Sequence, residues 1–258
     1  MDPVLFEKKE SVGHLTLNRP KSRNALSLEL MDDMQKKLDK VAEDPDVRAV
    51  IIKGNGPVFC AGHDIKEMAG EDYDIHHFRK VFSACSDMML TLHQLPQPVI
   101  AQVHGIATAG GCQLVAACDL AVAETGARFA TPGVKIGLFC STPMVPLSRV
   151  IGRRRALEML LTGRFVSAKE AEQFGLVNKV VEPDELAPET ENLAKELARH
   201  SRFTLAFGKK AFYSQIDLDE ASGYNHTKEM MAINCVAEDA QEGMKAFIEK
   251  RGPEWKDC

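Results

Sequence analysis

The 258-residue chain lacks the patterns that mark several common chemistries. Its seven cysteines, at positions 60, 85, 112, 118, 140, 235 and 258, form no CxxC pair and no regular framework, and their number is odd. They read as reduced, mostly buried thiols and not as a disulfide scaffold. The eight histidines show no HExxH spacing, and His76 and His77, adjacent on a predicted helix, point in different directions. No metal site is suggested. There is no GxGxxG and no GxxxxGK[ST], so neither a dinucleotide fingerprint nor a nucleotide-binding P-loop is supported. No apolar run reaches the length of a bilayer span. A formal net charge of −5 and an isoelectric point near 5.9 argue against a nucleic-acid footprint or a polybasic membrane surface. The opening residues, from Met1 to Glu7, carry neither a secretory apolar region nor an Arg/Ser-rich presequence, and the chain is expected to be cytoplasmic.

What is present suits one sizeable α/β core with a smaller helical piece appended. Val4 to Lys8 and Gly13 to Asn18 read as a hairpin-like pair of strands. Ser27 is placed to cap a helix on which Leu28, Met31, Met34, Leu38 and Val41 keep close to helical spacing until Asp44-Pro45. Arg48 to Lys53 reads as a strand, Val99 to Val103 has the uncharged, β-branched character of a buried one, and a helix is predicted from about His76 to Leu95. Helix follows from Pro143 to Leu161 with an interruption at Gly152, then a Ser167-x-x-Glu170 capping box, a strand over Val177 to Val181, and helices to the end. Breaks in that last part fall near His200 to Phe203, Asp217 to Leu218 and Gly252-Pro253.

Two stretches carry the chemical signal. Each runs from an apolar strand through a loop of small residues into a helix start. The first is Gly56-Pro57-Val58-Phe59-Cys60-Ala61-Gly62-His63-Asp64-Ile65-Lys66-Glu67, and the second is His104-Gly105-Ile106-Ala107-Thr108-Ala109-Gly110-Gly111-Cys112-Gln113. Residues without bulk let a ligand approach the backbone, and the free N–H groups of a helix N-terminus favour a negatively charged oxygen. That is the chemistry of an oxyanion hole. The bland alternative is a tight connection in which Gly110 and Gly111 only relieve crowding.

Together these stretches resemble the enoyl-CoA hydratase/isomerase (crotonase) superfamily, whose members carry an Ala-Gly-x-Asp-Ile/Leu-Lys-Glu segment and, further on, Gly-Gly-Gly-Cys-Glu-Leu. The resemblance continues through Leu161-Thr162-Gly163, Ser167-Ala168, Gly175-Leu176-Val177 and Glu242-Gly243-Met244, so it spans nearly the whole chain. It implies a superhelix of ββα turns over residues 1–198 and a C-terminal helical trimerisation region over 199–258. It also implies homotrimers that pair into hexamers, an acyl-CoA thioester as substrate or ligand, and no other cofactor. The oxyanion donors become the backbone N–H groups of His63 and Gly110. Arg23, Asn24 and Ala25 fall where the family contacts CoA, with a solvated basic loop as the alternative. Ala61 belongs to the same loop, and Ile65 and Lys66 lie near the adenine and phosphates. A C-terminal lysine, Lys250 or Lys256, would reach a neighbour's phosphate. Each lysine is equally a solvated surface residue.

The pattern departs from the hydratases at both acid/base positions. Gln113 stands where the first glutamate follows Gly-Gly-Cys, and Phe129-Ala130-Thr131-Pro132-Gly133 puts Gly133 in place of the second. An amide accepts no proton near neutral pH and glycine has no side chain, so ordinary 2-enoyl-CoA hydration is expected to be slow. Three readings stay open. One is a divergent acyl-CoA enzyme that recruits His63, Asp64, Glu67, Lys135, Cys140 or Ser141, or holds an anion in the space left by Gly133. The latter follows from Gly133-x-Lys135-Ile136-Gly137, which is similar to a segment of the dihydroxynaphthoyl-CoA synthase branch and its bound bicarbonate. The second is a non-catalytic acyl-CoA binder, and the third a Clp-type serine peptidase, for which no Ser/His/Asp set is in place. His63 would either shuttle a proton or pack against its loop.

Overall fold

A strand, a short second strand and a helix recur along most of the chain, and the architecture is what that recurrence builds. The computed structural model describes residues 2–69 and 74–258; Met1, at the head of the opening strand pattern, lies outside them. The elements begin with β1 (Val4–Lys9), β2 (Val12–Leu17), α1 (Leu28–Glu43), β3 (Ala49–Gly54), α2 (Ile75–Gln94), β4 (Val99–Val103), β5 (Ile106–Thr108) and α3 (Gly110–Ala117). Next come β6 (Leu120–Glu124), β7 (Arg128–Ala130), α4 (Met144–Ile151), α5 (Arg153–Thr162), β8 (Val166–Ser167), α6 (Ala168–Phe174) and β9 (Lys179–Val181). Four helices close the chain: α7 (Leu186–Ala198), α8 (Arg202–Gln215), α9 (Glu220–Val236) and α10 (Glu238–Glu249).

The larger sheet runs β1-β2-β3-β4-β6-β9, antiparallel only at the β1–β2 hairpin and parallel from β2 onward. The smaller one is β5-β7-β8. Isolated bridges extend its logic, pairing Cys60 with Ala107 and His63 with Leu26. Successive turns therefore place β3 then Cys60, β4 then β5, and β6 then β7, one strand in each layer, which is the ββα superhelix the resemblance implied.

Strands covered on both faces should be apolar throughout, and they are. Ala49, Val50, Ile51 and Ile52 are all buried. Alternation sends Val50 and Ile52 into the main core with Leu30, Met34, Leu38, Met88 and Leu92, whereas Ala49 and Ile51 face Leu186 and Ala194 of α7. The punctuation signals hold. Ser27 accepts the Leu30 N–H at 3.2 Å, Gly152 (φ 76°) separates α4 from α5, and both halves of the Ser167–Glu170 capping box form. The break at Ala237 between α9 and α10 is additional to those expected from sequence.

α8 is tied to the core by one lysine. Lys209 Nζ donates to Leu92 O (2.7 Å), Gln97 O (2.9 Å) and Asp119 Oδ2 (2.6 Å), and Tyr213 OH reaches Asp119 Oδ1 at 2.8 Å. Burial lowers the Lys209 pKa despite Asp119 and raises that of Tyr213. Lys209→Met strands a part-buried carboxylate and two carbonyls, and is expected to destabilise the chain by about 3 kcal/mol in equilibrium denaturation.

Candidate active site

The two small-residue loops meet because their backbones are hydrogen-bonded to each other. Phe59 N donates to His104 O (3.1 Å), Cys60 N to Ile106 O (3.1 Å), and Thr108 N back to Cys60 O (3.0 Å). On the other flank Leu26 N donates to Gly62 O (2.8 Å) and Asp64 N to Leu26 O (3.0 Å). These bonds bypass two amides. Among the described residues neither His63 N nor Gly110 N has an acceptor, and Gly110 is the first residue of α3, where the N–H has no intrahelical partner.

Glycine is required where the loops touch. A Cβ on Gly111 would lie 2.2 Å from Cys60 O, and one on Gly62 would lie 2.8 Å from the Ala109 methyl and 3.2 Å from Gly110 N. A Cβ on Gly110 would sit 3.2 Å from His63 Nδ1, so the residues bearing the two free amides adjoin. Ala109, the N-cap of α3, takes φ 49° and ψ −117°, a backbone state disfavoured for any L-residue by about 1–3 kcal/mol. Its N–H donates to Ala130 O (2.9 Å), and its carbonyl accepts Gln113 N (3.0 Å), which hold the turn.

The amides open on a cavity of about 600 Å³ lined by Ala61, His63, Ile65, Gly110, Gly133 and the segment 135–143, with Phe82 of α2 across from it. The His63 ring meets Phe82 edge-on, centroids 5.2 Å apart, and its Nε2 is enclosed without a partner. Burial alone pushes its pKa down to about 4, so the ring is neutral at physiological pH. The ring packs against Phe82 of α2, outside its own loop, and lines the cavity. A second cavity of about 930 Å³ lies between α2, α3, α4 and α8 and is bounded by Met89, His93, Gln113, Val145, Phe212 and Tyr213. Thr142 lines both.

Comparison with known proteins decides the family. The enoyl-CoA hydratase/isomerase model matches residues 7–258. The chain belongs to that family. It is 45% identical over 252 residues, 98% of this chain and 85% of the relative, to enoyl-CoA hydratase domain-containing protein 3, mitochondrial, of Xenopus laevis. The human protein of the same name is 44% identical over 98% of this chain and 83% of its own length. Among solved structures, an enoyl-CoA hydratase of Mycobacterium smegmatis superposes with a TM-score of 0.95 at 48% identity, covering 98% of both chains. Human enoyl-CoA hydratase domain-containing protein 3 gives 0.95 at 44% identity, covering 98% of this chain and 100% of that one.

Within this family fold the residues singled out from sequence separate into three groups. His63, Gly110, Gly133, Ala61 and Ile65 line the smaller cavity, and Arg23 and Lys66 are exposed, with no ion pair among the described residues. Asn24 is not presented to a ligand. It is fully buried, its Nδ2 donating to Asn55 O (2.8 Å), Val58 O (2.9 Å) and Phe59 O (3.1 Å) while Oδ1 accepts Arg19 N (3.0 Å). Ala25 is also buried, its carbonyl taken by Arg19 Nη1 at 2.7 Å. Gln113 and Gly133 do not share a cavity: Gln113 faces the larger one.

The space left by Gly133 is not free either. A Cβ there would lie 2.7 Å from Leu138 O and 2.9 Å from Cys140 Sγ, so a carbonyl oxygen and a thiol occupy it, and a carbonyl dipole repels an anion. Among the alternative acids and bases, Asp64 is held by Arg19 Nη2 (3.0 Å) and Lys66 N (3.2 Å), and Glu67 Oε2 by Leu28 N (2.9 Å). Ser141 Oγ donates to Phe139 O (3.3 Å), and Cys140 is kept protonated by burial. Sequence reasoning passed over Thr142 and Phe82, which no motif marks.

Two outcomes follow. Asn24→Ala leaves three carbonyls, those of Val58 and Phe59 buried, and one N–H unpaired and places alanine at φ 54°, lowering stability by about 3–4 kcal/mol in urea unfolding with an unchanged m-value. For His63, the unfolded ring takes up a proton near pH 6.5 but the folded ring only near 4. Its contribution to stability is thus complete above pH 6.5 and falls away by up to about 3 kcal/mol toward pH 4, a loss that His63→Asn abolishes when unfolding is followed across that range.

Proposed function

We propose that the chain binds acyl-CoA thioesters, with the thioester oxygen accepting from the His63 and Gly110 amides, and that it acts by stabilising the enolate formed when the α-carbon loses a proton. The observation that carries this is the adjoining pair of main-chain donors, left without acceptors at the wall of a cavity. Preorganised donors of this kind strengthen as charge builds on the oxygen, each contributing about 2.7–4 kcal/mol to the transition state. Arg23 and Lys66, at the protein surface and without an ion pair among the described residues, suit the phosphates of CoA, and Ala61 and Ile65 line the cavity.

A second reading, a non-catalytic acyl-CoA binder, is favoured by one feature. None of the described residues lining the 600 Å³ cavity is acidic, and its imidazole is neutral. Lyase or isomerase activity would need a base from elsewhere. Self-association as a trimer or hexamer is supported by the exposure of Val236 (77%) on α9 and of Phe247 (85%) and Ile248 (78%) on α10. No helix among the described residues is long and apolar enough to cross a membrane. A cytoplasmic location is proposed alongside the mitochondrial one named for the vertebrate relatives.

Calorimetric titration with butanoyl-CoA and with its thioether analogue, which lacks the carbonyl, tests the site. The thioester is expected to bind about tenfold more tightly, the worth of two neutral hydrogen bonds. Equal affinity removes the oxyanion reading. With but-2-enoyl-CoA, loss of the enoyl chromophore should run at least about 10⁴-fold below a hydratase carrying both carboxylates, and near-normal turnover would refute that expectation.

A further inference from the structure

Cys140 is 9% exposed and lines the 600 Å³ cavity on which the His63 and Gly110 amides open. Its surroundings differ from those of other buried thiols. Cys60 donates to Asn24 O (3.2 Å) and Cys85 to Gln113 Oε1 (3.9 Å). The Cys140 S–H has no acceptor among the described residues, while its sulfur receives the Gly133 N–H. That sulfur stands against Gly133, where a Cβ would lie 2.9 Å from it.

A nucleophile and two unpaired donors therefore share one cavity wall. When an acyl group carries a double bond next to its thioester carbonyl, the β-carbon is electrophilic. Addition there moves negative charge onto the carbonyl oxygen, where preorganised amides favour it. Water would need a base to add, and none of the described residues lining the cavity is acidic. A thiol carries the proton it has to give up and, once ionised, is the stronger nucleophile. Ser141, the next residue on the wall, offers a hydroxyl that already donates to Phe139 O (3.3 Å).

We infer that Cys140 is a covalent modification site for 2-enoyl thioesters, its sulfur adding to the β-carbon while the thioester oxygen rests on the His63 and Gly110 amides. The inference rests on the thioester reading above. The thiol loses its proton to water, a C–S bond forms as the C=C π pair moves toward the oxygen, and the enolate so made takes a proton from water at its α-carbon. The net change is addition of S–H across the double bond, with nothing oxidised and no group expelled. CoA stays attached, so the adduct occupies the site. Burial raises the Cys140 pKa against the pull of the Gly133 N–H, so addition is slow at neutral pH and quickens about tenfold for each unit of pH gained below that pKa.

Incubating the native chain with but-2-enoyl-CoA, followed by intact-mass measurement and peptide mapping, tests it. The mass should rise by one whole but-2-enoyl-CoA, mapped to Cys140. Butanoyl-CoA should leave the mass unchanged, and Cys140→Ser should abolish the gain. The native map stands whether or not the variant folds. Exposed Cys258 is the internal reference, because ordinary alkylation follows access and would reach it first. An adduct that forms on Cys258, or on any other residue, before Cys140 overturns the assignment. So does a gain of the butenoyl group alone, which would mean acyl transfer with loss of CoA. No adduct in a chain that binds butanoyl-CoA in calorimetry overturns it and leaves the thioester reading standing. Absence of both binding and adduct overturns the two together.

Discussion

Everything at the candidate site depends on a seam of main-chain hydrogen bonds that laces the loop after β3 to β5 and to the turn before α1. Phe59, Cys60 and Thr108 form one side of it and Leu26, Gly62 and Asp64 the other. Because the seam is made of backbone, it sets the spacing of the loops without regard to the side chains they carry. It closes only if Gly111 lies beneath the Cys60 carbonyl, where a methyl group has no room. The donors at His63 and Gly110 are what the seam leaves over, so donor geometry is inherited from the fold and proton-transfer chemistry is not.

That separation lets the fold superpose closely on its relatives whatever side chains the loops carry. The carbonyl of Leu138 and the thiol of Cys140 fill the ground in front of Gly133. Asp64 and Glu67, which stand nearest in sequence to the free amides, are bound to Arg19 and to the start of α1. The carboxylates close to the site brace its loops, and none of the described residues lining the cavity is acidic. The main-chain donors at its wall are not braced.

Legibility in the sequence followed the range of the interaction. Local signals were sufficient for most elements: β4 was readable to the residue, Ser27 and Ser167 cap where their hydroxyls permit, and Gly152 interrupts where φ must be positive. The site's backbone was legible too, since a small-residue bend declares its own close approach. Side-chain fates were not. Asn24 looked like a ligand contact because the resembled family places its turn against CoA, but three carbonyls from a loop distant in sequence claim it. Gln113 and Gly133 looked like partners because a motif pairs them, and only the path of the segment 137–140 shows that they open on separate spaces. The break at Ala237 left no mark because neither glycine nor proline stands there.

Ala109 carries one more implication. Glycine would enter its torsions without resistance, but it would also let the unfolded chain wander more widely and leave the bend free to relax into neighbouring conformations. The methyl group narrows those choices on both sides of folding, so the turn behaves as a latch under tension whose release would carry the Gly110 amide away from His63. Rigidity in this bend therefore keeps the Gly110 amide beside His63, and a change that slackened it would separate the two before it loosened the fold.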